Sequence, residues 1–120
     1  MGRLTTHVLD TARGLPAQGV LIQLNQSFNA KDWQTLKKVH TNADGRCSEA
    51  LLEGEALMKG YYELVFHVGA YFTENAPYHP LSTPCFLNDI PIRFFINDPL
   101  AHYHIPLLVS PWSYSTYRGS

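Results

Sequence analysis

The chain has 120 residues, 45% of them hydrophobic and 16% charged, with a formal net charge of −1. That length suits one domain, expected over residues 1–120, and a composition this rich in apolar and aromatic side chains excludes a disordered chain. With no basic run longer than Lys37–Lys38 there is no footprint for nucleic acid, and apolar stretches such as 105–109 fall far short of the ~20 residues that cross a bilayer.

Met1-Gly2-Arg3 leads directly into a strand-like pattern, with no apolar stretch of signal-peptide type. The protein is therefore expected to stay inside the cell, cytoplasmic by default and peroxisomal as the eukaryotic alternative. Residues 4–10 form the first predicted strand, closed by the Arg13-Gly14-Leu15-Pro16 turn. Val20, Ile22 and Leu24 then alternate with Gln23 and Asn25, the period-two signature of a half-buried strand. Extra residues at 27–32 read as a loop insertion, and residues 33–41 as a third strand.

Asn42-Ala43-Asp44-Gly45 signals a sharp turn, and a short strand has room to form near Leu51. Tyr62, Leu64, Phe66 and Val68 alternate with Glu63 and His67 as another strand. Residues 69–75 are the only plausible helix, stopped by Pro77 and Pro80. Strands at 92–97, 102–110 and 114–118 complete the series. The expectation is an all-β sandwich of seven or eight antiparallel strands with one short helix, a scaffold that hosts many functions. Cys47 and Cys85 read as free thiols of a reducing compartment.

Six histidines in so short a chain raise the question of a site, since imidazole moves protons near neutral pH. His102 and His104 stand two apart on a predicted strand and share a face; His7 lies mid-strand, and Arg46 follows the Asp44-Gly45 turn. Spacing alone favours the plainer reading of surface or core histidines and a solvated arginine. A zinc site on His7, His102 and His104 is conceivable, but His-x-His without a further ligand cluster is a weak signal, and no metal is expected. His40, His67 and His79 read as structural, and Tyr61, Tyr62, Tyr71 and Tyr78 as packing residues.

Three separated segments carry a resemblance. Leu4-Thr5-Thr6-His7-Val8-Leu9-Asp10 followed by Gly14-Leu15-Pro16-Ala17, then Tyr103-His104-Ile105-Pro106-Leu107-Leu108-Val109-Ser110-Pro111 with Ser113-Tyr114-Ser115-Thr116, resemble the transthyretin-like family. The closing Tyr117-Arg118-Gly119-Ser120 resembles the end of that family's hydroxyisourate hydrolase branch.

The resemblance implies a transthyretin-like β-sandwich that hydrolyses 5-hydroxyisourate to 2-oxo-4-hydroxy-4-carboxy-5-ureidoimidazoline, without a cofactor, as a homotetramer built from two dimers. It also implies catalytic roles for His7, Arg46, His104 and Tyr117, with His7, Arg46, Tyr117, Arg118, Gly119 and Ser120 binding substrate. At the matching positions the hormone carrier of the family has Lys, Glu, Thr and Thr. A carrier of a small aromatic ligand is the alternative, and that contrast argues against it. Chemically, either of His7 and His104 would activate the water, Arg46 would clamp substrate and oxyanion, and Tyr117 would donate a hydrogen bond. The Ser120 carboxylate would steady a histidine or Arg118.

Overall fold

The structure, a computed structural model, describes residues 1–75 and 84–119. Its elements in chain order are β1 (Arg3–Asp10), β2 (Leu15–Pro16), β3 (Leu21–Ser27), β4 (Gln34–His40), β5 (Leu52–Glu53), a short 3-10 turn (Gly54–Ala56), β6 (Gly60–His67), α1 (Val68–Glu74), β7 (Asp89–Ile96), β8 (His102–Val109) and β9 (Tyr114–Thr116).

Two sheets result, one ordered β2-β1-β8-β9 with β5 also on β1, the other β4-β3-β6-β7. They bury a common core in which Leu4, Val8, Ile22, Leu24, Leu64, Phe66, Ile90 and Leu107 are essentially inaccessible to solvent. Each of these comes from the inward set of an alternating strand, so the period-two pattern of the sequence becomes the core directly. The expected all-β sandwich with one short helix is what forms.

Three features differ from the sequence reading. β1 and β8 run parallel, with Thr5 opposite His104 and His7 opposite Pro106, whereas all strands were expected antiparallel. Periodicity reports which face a residue takes, and it is silent on the direction of a partner strand about a hundred residues away. Leu15–Pro16, read as part of a turn, pairs with Leu9 and Asp10 as a ninth strand among the described residues. The last strand stops at Thr116 rather than 118, leaving Tyr117 and Arg118 beyond it.

Two polar side chains point inward from β1. Buried Thr6 donates its hydroxyl to the Ile105 carbonyl at 2.6 Å, tying β1 to β8. Buried Asp10 accepts from the Ala12 and Arg13 amides and, at 2.8 Å, from the Tyr71 hydroxyl of α1. Burial and the Asp10 carboxylate together push the Tyr71 phenol up to about 12. This contact fixes α1 to the end of β1 remote from the histidines. Pro77, Tyr78, His79, Pro80 and Ser120 lie outside the described residues. Cys47 and Cys85 are free, and His67 pairs with Asp89 at 2.8 Å across β6 and β7.

Candidate active site

Inward Leu4, Thr6 and Val8 leave Arg3, Thr5 and His7 on the outer face of β1. On β8, inward Tyr103 and Ile105 leave His102 and His104 facing out. The parallel register sets Arg3 beside His102 and Thr5 beside His104, so the two strands present one polar patch.

Two loops complete the row. The Asn42–Gly45 turn, closed by Gly45 N–H to the Asn42 carbonyl at 2.9 Å, brings Arg46 into a bridge with His7. Gly45 adopts φ 75°, and a Cβ there would stand 2.4 Å from the Val8 carbonyl oxygen, so both the turn and the close approach require glycine. On the far side the tail returns along β8: the Gly119 amide donates to the His104 carbonyl at 2.7 Å. Arg46, the His7/Thr5 strand, His104 and Gly119 thus occupy neighbouring tracks across the sheet, spanning about 15 Å at a strand spacing of ~4.8 Å.

The environments of the two histidines differ. His7 contacts the Asp44 carbonyl through Nε2 at 2.8 Å, and because a carbonyl only accepts, that nitrogen carries a proton. His104 contacts the Thr5 hydroxyl through Nδ1 at 2.9 Å and is half-buried. Burial lowers its pKa below the ordinary histidine value, and the charges of Arg46 and His7 lower it further. At neutral pH His104 is therefore an uncharged imidazole, the form that accepts a proton.

The patch floors a groove of about 850 Å³ lined by Arg3, Thr5, Thr6, Arg46, Cys47, Ser48, Glu49, Ala50, Glu53, His102 and His104. A second concavity of about 630 Å³ shares His102 and His104 and is walled by Tyr117, Arg118 and Gly119. Hydrogen-bonding side chains dominate the lining of the larger groove. Among the described residues no group of three or more His, Cys, Asp or Glu side chains is arranged to hold a metal. None of the helices described is long and apolar enough to cross a membrane.

The structure thus brings Arg46, His7, His104 and Gly119 together, with Tyr117 exposed at the rim. Arg118 lines the second concavity, but its guanidinium lies over the Tyr103 ring at 4.3 Å and donates to the His102 carbonyl at 3.2 Å. Sequence reasoning missed Thr5 and the Asp44 carbonyl. Thr5 was within reach of the same period-two argument that put His102 and His104 on one face; a backbone oxygen leaves no signal in residue type.

Residues 4–119 match the model of the HIUase/Transthyretin family. A 5-hydroxyisourate hydrolase of Ralstonia nicotianae is 57% identical over 120 residues, the whole of both chains. A solved Klebsiella pneumoniae 5-hydroxyisourate hydrolase is 34% identical over the full length of both chains, at a TM-score of 0.79. A crystal structure of (S)-allantoin synthase superposes at a TM-score of 0.92 with 44% identity over 99% of this chain, which spans 44% of that longer chain. Sea bream transthyretin in complex with thyroxine superposes at 0.84 with 28% identity, over 98% of this chain and 94% of its own.

Proposed function

The chain belongs to the HIUase/Transthyretin family, and from that premise we infer that it is an enzyme that hydrolyses the ring amide of 5-hydroxyisourate. The relatives bearing that name support the reading, and the polar groove lined by Thr5, Arg46 and His104 is the structural observation that carries it. The product is 2-oxo-4-hydroxy-4-carboxy-5-ureidoimidazoline. No observation favours the carrier of a small aromatic ligand.

In the assignment we favour, His104 is the general base. It takes a proton from water as the oxygen adds to the ring carbonyl, giving a tetrahedral oxyanion. Arg46 meets that oxyanion with permanent charge and a planar fork of donors matched to the ring's adjacent oxygen and nitrogen atoms. The imidazolium of His104 then returns its proton to the departing ring nitrogen, the carbon–nitrogen bond breaks, and the ring opens to a carboxyl and a ureido group on the one product, the carboxyl losing its proton to solvent. His7, whose Nε2–H is held by Asp44, orients the water or substrate through Nδ1. Tyr117 donates a hydrogen bond to the ring, while Arg118 and Gly119 wall the concavity that binds it, and Ser120 is assigned to substrate binding by the closing motif alone.

Residues 1–120 act as one cytoplasmic domain in this account. The open groove is completed when two dimers meet face to face in a homotetramer, a closed symmetric arrangement of the common kind. Generating 5-hydroxyisourate in situ from urate with uricase and following its ultraviolet absorbance tests the function. Decay that accelerates in proportion to protein supports it; unchanged decay with folded protein contradicts it.

A further inference from the structure

His104 is held on two sides, by Gly119 of the substrate wall and by Thr5, which has no role so far. Its Nδ1 meets the Thr5 hydroxyl at 2.9 Å, the two residues standing opposite each other in the parallel β1–β8 register. Its Cδ2 edge packs on Gly119 so closely that a Cβ on that glycine would come within 2.7 Å, while the Gly119 amide bonds the His104 carbonyl. With Nδ1 and Cδ2 occupied, Nε2 is the ring nitrogen left for chemistry.

We propose that Thr5 is a positioning residue for this hydrolysis: its hydroxyl accepts the Nδ1–H of His104, which fixes the tautomer in which Nε2 carries the bare lone pair. A neutral imidazole has one N–H and one acceptor, so the partner of one nitrogen decides what the other can do. A Thr5 hydroxyl donating to Nδ1 would leave Nε2 protonated and unable to take a proton from water. It would also have to turn around once the ring became an imidazolium. In the accepting orientation the same hydrogen bond serves the resting base and its conjugate acid, so no reorganisation accompanies proton transfer. Thr5 is half-buried and lines the groove, so its own proton has solvent there to donate to. Burial and the Arg46 charge, which keep the ring neutral at rest, make the choice of tautomer matter.

The inference rests on His104 being the base, and the test separates the two. Thr5→Val removes the hydroxyl at nearly constant shape and is expected to lower kcat about tenfold or more with KM little changed, the scale on which orienting partners of reactive imidazoles act. It also shifts the acid limb of the pH profile downward, because the imidazolium has lost an acceptor. Thr5→Ser restores both. The nitrogen-15 shifts of His104 in the intact protein should show Nδ1 protonated and Nε2 bare, a readout independent of how well Thr5→Val folds.

Wild-type kcat and an unmoved acid limb in Thr5→Val, or a bare Nδ1 in the wild type, overturns the proposal. If His104→Asn is inactive while Thr5→Val is fully active, the positioning role alone fails. If His104→Asn is itself fully active, the base assignment fails with it.

Discussion

At the scale of single residues, the separation of the two histidines is what the proposed chemistry turns on. His7 has a proton pinned by the Asp44 carbonyl, and His104 is kept uncharged by burial and then by Arg46 and His7. The lowered pKa has a definite sign: kcat/KM falls as pH drops through the His104 value, so the acid limb lies below the ordinary ~6.5 of histidine. Arg46→Gln removes one cause of the depression and moves that limb upward. Arg46→Lys keeps the charge and leaves the limb in place, yet lowers kcat/KM about tenfold or more by losing charge-assisted hydrogen bonds of the planar fork. A pH–rate series on the three proteins checks both statements. The same depression bears on stability. Its contribution is fully present above ~6.5 and is lost as pH falls towards the His104 value, because the unfolded chain takes up a proton that the native one refuses.

At the scale of elements, the outward face of β1 and β8 was legible from alternation, since a strand that buries Leu4, Thr6 and Val8 must expose Thr5 and His7. What alternation could not carry was the register. Thr5 meets His104 because β8 lies parallel to β1, and this pairing between distant parts of the chain is set by the whole sheet. His7, Arg46, His104 and Tyr117 were singled out by the family resemblance, which names residues without giving the distances between them. Two-residue β2 was hidden because Gly14 and Pro16 are the residues of a turn, and only pairing with Leu9 and Asp10 makes a strand of that segment. The tail is the other element with a specific consequence. Tyr117 to Gly119 wall the second concavity but contribute no core residue. Truncation after Thr116 is expected to abolish hydrolysis while thermal melting and the far-ultraviolet circular dichroism of the sandwich persist. An active truncated chain would remove the closing tetrapeptide from the site.

At the scale of the molecule, two sheets packed through an apolar core give a firm floor, and the proposed site is laid across the outside of one of them. A groove lying on a sheet face is open on one side, and the homotetramer proposed here covers it. Sedimentation of the purified protein should report four chains, and a fully active monomer would contradict that arrangement. The central claim is that His104 draws the proton from the attacking water, and the most direct test compares wild type with His104→Asn on 5-hydroxyisourate made in situ. The account predicts that the variant stays folded, keeps its assembly and loses about 10²–10⁴-fold in kcat, the typical contribution of a general base. A folded His104→Asn protein that turns over at the wild-type rate would contradict it.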